Sequence, residues 1–402
     1  MTELIVLTDI SSMENTALFN SISSRARALE ASKIREVAEL GMKQEGVLPL
    51  WFGEGAWPTN PLIVDAAISS LKSGNHMYQP NNGAMSLRQA ICTYSNDLLG
   101  SRLKLPQITV TPSGMQGIML AAEFLVTPGD RVVAVEPGWP NIMGAFKATG
   151  AQVDSISIAP KGRHWALDVE ELVAALTPGT KAVVINSPNN PTGWTMTVEE
   201  QYLVLEHCRR HGIWIIADDV YSRLYRHGRH APSFLSIAEP EDLLISVNSF
   251  SKCWSMTGWR LGWSTAPAAF EAKLGQLTEF NTSCTAGFIQ EAGIVALRDG
   301  EEEIASLLSK IQAGYEITAE RLSAFSRVEF IEPDGAFYCF FRVDGLTDSF
   351  AAAGEILEQT KVGLAPGVAF GPQGEGYLRL CYAQPTEVLE EAFERLEPFL
   401  SK

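Results

Sequence analysis

The chain of 402 residues is long enough for two or three domains, or for one large domain with a smaller one. Hydrophobic residues make up 46% and charged residues 19%, which is typical of a globular protein with a substantial core. The 47 acidic residues outnumber the 31 basic ones, and the net charge of −16 argues against nucleic acid or an anionic membrane as the main partner.

Cysteines, histidines and apolar residues are distributed as we expect for a cytoplasmic protein without a metal site. The 6 cysteines are scattered and include no C-x-x-C pair, which is typical of reduced thiols. His207 and His211 share a helical face, but no H-E-x-x-H frame surrounds them. The N-terminus has no basic region before its short apolar run, and no stretch approaches the roughly 18–20 apolar residues of a membrane span.

The first predicted elements are an irregular arm and the beginning of a smaller unit. Residues 1–20 form the predicted arm. Residues 21–43 have apolar positions at helical spacing and end near a glycine, which predicts one helix. A short strand at 48–52 then leads into a loop rich in glycine and proline.

A repeated strand-then-helix pattern begins near residue 61. The unbroken apolar run at 213–217 indicates a strand that is buried on both faces. Strands separated by helices build a mostly parallel sheet covered on both sides, so the predicted fold class is α/β. The apolar strands of this pattern are predicted at 108–110, 131–135, 182–185, 213–217 and 244–247.

The pattern changes after a long helical stretch at about 285–326. Short strands and helices then alternate up to residue 399, which indicates a smaller α+β unit. We therefore expect an arm at 1–20, a large domain at 61–299, and a small α+β domain formed by 21–60 together with 300–402.

Polar residues follow several predicted strands, at the edge where open α/β sheets bind ligands. Ser113-Gly114-Met115 opens an apolar helix, whose free N–H groups and positive dipole end suit a phosphate. Trp139 lies in a rigid turn that presents its indole for stacking on a flat ring. Taken alone, the first feature is more typical of a simple helix cap and the second of a packed core residue.

Two further groups follow the next two strands. The loop at 186–193 is held by prolines and a glycine, so that the Asn190 amide is placed to donate to a phenolate oxygen. Asp218 follows the apolar strand and is suited to keeping a pyridine nitrogen protonated, with Tyr221 in reach of the phenolic oxygen of the same ring. Either Asp218 or Asp219 is a possible helix N-cap, and position favours Asp218 as the buried one.

The most informative motif is Ser249-Phe-Ser251-Lys252, with Arg260 shortly after it. A strongly hydrated ammonium is costly to bury, so a lysine in this apolar stretch suggests that its charge is meant to be lost. Lysine loses its charge when it forms an imine, and pyridoxal phosphate (PLP) is the common biological aldehyde for that purpose. The two serines and Arg260 are donors that a phosphate requires. A single S-x-x-K match is more often only an exposed lysine.

Arg379 and Tyr78 extend this set of residues. Arg379 lies in an otherwise apolar strand, where its charge requires an anion: a substrate α-carboxylate or the partner of a structural ion pair. Tyr78 lies in a loop from which it could reach a phosphate, either in its own chain or across a dimer interface.

Together these motifs resemble the class I/II aminotransferases, which are fold-type I PLP enzymes. The resemblance covers about residues 21 to 399 and implies a large PLP-binding domain, a small domain, and a homodimer with shared active sites. The motifs that carry it are Tyr78-x-Pro-x-x-Gly83, Ser113-Gly114, Asn190-Pro-Thr-Gly193, Asp218-x-x-Tyr221, Ser249-x-Ser-Lys252, Arg260 and Arg379.

The resemblance implies a role for each residue. Lys252 would form the imine and move a proton between the substrate Cα and the cofactor, with Asp218 at the pyridine nitrogen and Tyr221 at the phenolic oxygen. The other implied cofactor contacts are the phosphate ligands Ser113, Gly114, Ser249, Ser251, Arg260 and the Tyr78 of a second subunit, together with Met115, the stacked Trp139, and Asn190. The implied substrate contacts are Arg379, Asn190, Gly53 and Trp139.

The implied reaction is reversible, ping-pong transfer of an amino group between an L-amino acid and a 2-oxo acid such as 2-oxoglutarate. Met115 stands where some aspartate-specific relatives have a lysine, and no arginine lies near 281–286. These departures favour a donor with an aromatic or neutral side chain, in a pocket formed by Trp57, Trp139 and Phe337.

Three alternatives remain open at this point. One is an aspartate aminotransferase. Another is a PLP-dependent carbon–sulfur lyase, or a different eliminating or decarboxylating enzyme on the same fold. A PLP-binding regulator is the third, but such proteins usually carry a basic DNA-binding segment, which the sequence lacks.

Overall fold

Strands and helices alternate along residues 17–401, the part of the chain that this computed structural model describes. The strands are β1 (Leu48–Pro49), β2 (Ile108–Thr111), β3 (Arg131–Glu136), β4 (Gln152–Lys161), β5 (His164–Leu167), β6 (Thr180–Asn186), β7 (Trp214–Asp218), β8 (Leu244–Ser249), β9 (Gly262–Thr265), β10 (Val328–Glu329), β11 (Tyr338–Val343), β12 (Val362–Gly363), β13 (Ala365–Pro366) and β14 (Tyr377–Cys381). The α-helices are α1 (Ala17–Ser21), α2 (Ser24–Arg27), α3 (Lys33–Gly41), α4 (Pro61–Lys72), α5 (Met85–Leu99), α6 (Gly114–Leu125), α7 (Pro140–Thr149), α8 (Val169–Ala175), α9 (Val198–His211), α10 (Glu271–Thr282), α11 (Gly287–Asp299), α12 (Glu301–Ala324), α13 (Ser349–Thr360) and α14 (Thr386–Leu400).

The central element is an 8-stranded sheet with the order β2-β9-β8-β7-β6-β3-β4-β5. Strands β4, β3, β6, β7 and β8 are parallel to one another. Strand β9 runs antiparallel between β2 and β8, and β5 is antiparallel to β4 at the far edge. The prediction of an α/β fold with a mostly parallel sheet is therefore confirmed.

Both faces of this sheet are buried under helices. Along β7, Ile215 and Ala217 belong to one hydrophobic cluster, whereas Trp214 and Ile216 belong to a second cluster on the opposite face. Alternating side chains of a strand point to opposite faces, so the unbroken apolar sequence of β7 serves two cores at once. Within residues 17–401, no helix has the length and apolar character needed to cross a membrane.

A second, 4-stranded sheet has the order β10-β11-β14-β13 and is antiparallel. The early strand β1 pairs in parallel with β12, with Leu48 opposite Val362, so residues near the N-terminus join this C-terminal region. The domain boundaries after residues 60 and 299 remain predictions. Residues 1–16 of the predicted arm lie outside the described residues, and α1 occupies the remainder of it.

Some sequence-based expectations for single elements are wrong. The helix predicted for 21–43 is broken into α2 and α3, because the Ser32 side chain accepts a hydrogen bond from the Arg35 N–H and begins a new helix. The strand predicted at 48–52 has only the two residues of β1. The long helical stretch is divided at Gly300 into α11 and α12.

Candidate active site

The carboxyl ends of β7 and β8 meet the N-terminus of α6 at a cavity of about 280 Å³. Asp218 is the last residue of β7, Ser249 ends β8, and Gly114 begins α6. The cavity lies where ligands bind in open α/β sheets. Of the residues singled out in the sequence, it is lined by Gly53, Gly114, Met115, Trp139, Asn190, Asp218, Tyr221, Ser249, Ser251, Lys252, Arg260 and Arg379.

Asp218 provides the carboxyl group at one end of this cavity. It is only 2% exposed, and burial raises its pKa from 3.8 to about 7, with the neighbouring Asp219 adding to the rise. Asp219 is turned away, because its Oδ2 accepts hydrogen bonds from the hydroxyls of Ser233 (3.0 Å) and Ser246 (2.8 Å). Asp218 is therefore the acid that a cationic group in the cavity would meet, and such a group would favour its ionised form.

Lys252 is the amine of the site. Its Nζ donates to the Gly53 carbonyl oxygen at 2.5 Å. Desolvation lowers the pKa of Lys252 from 10.5 to about 8, although nearby Cys381, Glu54 and Asp218 oppose the decrease. A lysine with a lowered pKa has a substantial neutral fraction near pH 8, which is the form that attacks an aldehyde or accepts a proton.

Arg379 is buried beside the amine, on β14. One of its terminal nitrogens donates to Asn190 Oδ1 at 2.9 Å, and the other donates to the Trp51 carbonyl. Its guanidinium lies between the rings of Tyr338 and Phe370, at 4.5 and 4.8 Å from their centroids. Its Nε has no hydrogen-bond partner, and no carboxylate within residues 17–401 forms a salt bridge with it. The guanidinium is thus fixed in place and has a donor left for an anion.

Asn190 is positioned by the same contact. Because its Oδ1 accepts from Arg379, its amide nitrogen remains available as a donor, and its backbone N–H is held at 2.8 Å from Asn186 Oδ1. Asn186 also donates to the Asp218 carbonyl oxygen at 3.1 Å. The loop after β6 is therefore tied to the end of β7.

The opposite end of the cavity presents donors that suit an anion. The Ser249 hydroxyl donates to the Ser251 hydroxyl at 2.9 Å, and α6 directs its N-terminus here. The exposed Arg260 has φ +56° and donates to the Thr257 carbonyl at 2.5 Å. A helix N-terminus with hydroxyls and a guanidinium is a typical phosphate site.

Two predicted site residues do not line the cavity in this chain. The Ser113 hydroxyl caps α6 by accepting from the Gln116 N–H at 3.0 Å. The Tyr78 side chain is 88% exposed. Its predicted role requires a second subunit, so it stays a prediction.

Sequence reasoning missed several residues that line the cavity. Tyr338 is one of them, and its hydroxyl lies 2.6 Å from that of Tyr221. Arg35 was seen only as part of a helix. Tyr338 reaches the cavity because its strand, β11, pairs with the strand of Arg379, β14. The other residues missed are Ser32, Ile34, Phe52, Pro140, Asn141, Asn186, Val220 and Thr257.

The donor set fits PLP. Asp218 suits a pyridinium nitrogen at one end, and the α6 N-terminus with Ser249 and Arg260 suits a phosphate at the other. Gly114 packs closely against two other residues that line the cavity, because a Cβ at this position would lie 3.2 Å from both Ser249 Cβ and Val220 Cγ1. Lys252 and the two donors Asn190 and Tyr221 lie on the same cavity and complement an aldehyde and a phenolate oxygen.

Comparison with known proteins agrees with this geometry. Residues 49–396 match the family model described as aminotransferase class I and II. The chain belongs to this family. As a PLP-dependent aminotransferase, it uses a cofactor that, when bound, withdraws electrons from the substrate Cα and carries the amino group between two substrates.

Individual relatives cover almost the whole aminotransferase chain. An aspartate aminotransferase of Pyrococcus horikoshii is 33% identical over 94% of this chain and 97% of its own length. An aromatic-amino-acid aminotransferase of Thermococcus litoralis is 31% identical over 95% and 99%. The solved structure of an aspartate aminotransferase from Thermotoga maritima has a TM-score of 0.85 at 31% identity, covering 95% of this chain and 100% of that one.

Proposed function

We propose that this aminotransferase takes the amino group from an L-amino acid with an aromatic or large neutral side chain. The acceptor in this proposal is a 2-oxo acid that carries a second carboxylate, such as 2-oxoglutarate. The single observation that carries the donor assignment is a large apolar chamber beside Lys252.

This apolar chamber has a volume of about 570 Å³ and shares Ser251, Lys252 and Thr257 with the cofactor cavity. Its volume and mostly apolar walls support a large uncharged donor side chain, and the Glu54 carboxylate on the same wall disfavours an acidic one. Trp57 and Phe337 line this chamber, whereas Trp139 lines the cofactor cavity. The other large apolar residues of the chamber are Val64, Ile68, Leu71, Trp259, Phe288, Ile289, Leu307 and Ile311.

The acceptor assignment rests on the cations of the cofactor cavity. Arg260 would bind the cofactor phosphate, and Arg379 the α-carboxylate of the substrate. Arg35, on α3, also lines this cavity; its guanidinium is exposed and forms no salt bridge with residues 17–401. A third guanidinium supports a third anionic group, which is the second carboxylate of the acceptor. Met115, which also lines the cavity, is a neutral thioether and cannot form an ion pair with a carboxylate.

Each of the chain's own site residues has a separate role in the proposed reaction. Lys252 accepts the proton from the substrate Cα and returns it, which its lowered pKa supports. Arg379 orients the α-carboxylate, and its contact with Asn190 links substrate binding to the donor at the phenolic oxygen. With PLP bound, Asp218 would keep the ring nitrogen protonated, Trp139 would stack on the ring, and the α6 turn would hold the phosphate.

We also propose that two copies of the chain share their active sites. Support comes from exposed apolar side chains around the loop that carries Tyr78 and on α10: Met77, Tyr78, Met85 and Phe280 are 71%, 88%, 71% and 86% exposed. Exposed large apolar groups close together are typical of a surface that another protein covers. A second copy seated there would bring its Tyr78 to the phosphate end of its neighbour's cavity.

The decisive experiment mixes the purified protein with each standard amino acid and measures pyridoxamine phosphate. Aromatic and large neutral amino acids should give the fastest conversion, and Lys252→Ala should give none. Release of ammonia and pyruvate without pyridoxamine phosphate would instead favour the lyase. Fastest conversion with aspartate would contradict the proposed donor class.

A further inference from the structure

A second buried tyrosine lies directly behind Tyr221. Tyr338, the first residue of β11, has its hydroxyl oxygen 2.6 Å from that of Tyr221. Both side chains are almost completely buried, and both line the cofactor cavity. Each hydroxyl has one hydrogen and can accept others, so one of the two must donate to its neighbour and the other keeps its hydrogen free.

The position of Tyr338 is closely determined by its surroundings. The Arg379 guanidinium covers its ring at 4.5 Å, and the Phe337 ring lies 4.8 Å away. On the side of the hydroxyl, a Cβ at Gly53 would lie only 1.9 Å from the oxygen, so a glycine is required there. The hydroxyl is therefore pressed between the glycine backbone and Tyr221, and Tyr221 is its one hydrogen-bond partner among residues 17–401.

The charged and titratable groups around the pair come from several elements. Asp218 at the end of β7 and Arg379 on β14 face Tyr221, and Lys252 Nζ lies 5.8 Å from its ring centroid. Arg379 and Cys381, both on β14, face Tyr338. Tyr338 is thus the only one of these neighbours that forms a hydrogen bond with the Tyr221 hydroxyl within the described chain.

We propose that Tyr338 is a positioning residue that donates its hydrogen to the Tyr221 oxygen and so directs the Tyr221 hydrogen at the phenolic oxygen of the cofactor. This inference rests on the proposed function, in which Tyr221 faces that oxygen. A hydroxyl that accepts a hydrogen bond is polarised and becomes a better donor. Tyr338 therefore helps Tyr221 to stabilise the deprotonated phenolic oxygen, which lowers the pH at which the bound cofactor changes its protonation state.

The test is a pH titration of the visible absorbance of the holoenzyme, without substrate. We expect Tyr338→Phe to raise the titration midpoint by about 0.3–1 pH unit, a 2- to 10-fold change in proton affinity. Tyr221→Phe should raise it further, and adding Tyr338→Phe to Tyr221→Phe should change nothing more. The matched control is Tyr382→Phe, another buried tyrosine, whose one hydrogen-bond partner in the described part of the chain is the Ala336 carbonyl at 3.4 Å. It should leave the midpoint unchanged.

The outcomes distinguish a failure of this inference from a failure of the proposed role of Tyr221. A shifted midpoint in Tyr221→Phe together with an unshifted one in Tyr338→Phe overturns the inference alone. A Tyr338→Phe shift that persists in the Tyr221→Phe background also overturns it, since the effect would then act through Arg379 or Cys381. An unshifted midpoint in Tyr221→Phe overturns both this inference and the assignment of Tyr221. Each substitution keeps the aromatic ring. We therefore expect every variant to have a melting temperature near that of the wild type, whichever titration result is found.

Discussion

Asp218 opposes folding in the cofactor-free protein. Burial raises its pKa from 3.8 to about 7, so the folded protein keeps a proton that the unfolded chain releases above about pH 4. The unfolded state then binds fewer protons, and stability is lost as the pH rises from about 4 to about 7. A cationic ring nitrogen compensates for this burial when the cofactor is bound.

The first prediction concerns Asp218→Asn. Without cofactor at pH 8, we expect this variant to be more stable than the wild type by about 1–3 kcal/mol, because no buried charge must form. Its stability should also change less between pH 4 and 7. Denaturant unfolding of both cofactor-free proteins at several pH values measures this. With PLP added, the order should reverse, and a variant that is less stable at pH 8 in both forms would contradict the prediction.

Arg35 gives a second prediction. Arg35→Gln should raise the KM for 2-oxoglutarate about 10-fold, since an ionic hydrogen bond is worth roughly 1.5–3 kcal/mol and this one is exposed. The KM for the aromatic donor should not change. Lys33→Gln removes an equal charge from the same helix, where its Nζ lies over the Phe350 ring, and serves as the control. Equal effects of the two substitutions on 2-oxoglutarate would refute a specific role for Arg35.

Individual site residues were predictable where they directly follow a strand. Asp218, Asn190 and Lys252 come within a few residues of an apolar run, and parallel strands bring their carboxyl ends to one edge. Tyr338 and Arg35 do not follow a strand of the parallel sheet, because they belong to the small sheet and to an early helix. Their places depend on how distant segments pack, which local patterns do not encode.

Among the elements, the turn between β2 and α6 depends on a close backbone approach. A Cβ at Gly262, the first residue of β9, would lie 2.7 Å from the Gly114 nitrogen and 2.8 Å from the Asn248 carbonyl oxygen. Backbone atoms in these paired strands cannot easily move away from an added methyl group. Glycine therefore allows β9 to pass directly against the turn that forms the anion-binding end of the cavity.

The third prediction compares two Gly→Ala substitutions. Gly262→Ala should lower stability by about 2–4 kcal/mol and weaken PLP binding, because the turn must shift to admit the methyl group. Gly144→Ala in α7 meets nothing within 4 Å and should stabilise by about 0.4–1 kcal/mol. Denaturant unfolding and PLP titration of both proteins measure these effects. Unchanged PLP affinity in Gly262→Ala would disprove the role given to this approach.

The elements themselves were predicted unevenly. The parallel strands β3, β6, β7 and β8 agree with expectation, because each has a strong local signal in its apolar run. The antiparallel β9 and the hairpin of β4 and β5 were missed. Strand β9 has only 4 residues and follows the Lys252 motif closely, and the exposed positions of β4 give no continuous apolar run.

At the scale of the whole molecule, the fourth prediction concerns shared sites. If Tyr78 serves a neighbouring copy, Tyr78→Ala and Lys252→Ala homodimers are each impaired, but a hybrid contains one site with both native residues. Unfolding and refolding an equal mixture should restore about a quarter of wild-type activity, because half of the dimers are hybrids with one competent site. Refolding each variant alone is the control. No gain on mixing, in a sample shown to contain hybrids, would contradict shared sites.

The pairing of β1 with β12 also has a consequence for how the protein is made. Leu48 leaves the ribosome early but meets Val362 only after nearly all of the chain has been synthesised. At about 5–20 residues per second, that delay lasts tens of seconds, and all strands of the central sheet are synthesised within it. Trp51 and the helix before it spend this time without their final neighbours. The nascent chain therefore exposes an apolar N-terminal segment until translation is nearly finished, and such a segment is suited to bind chaperones.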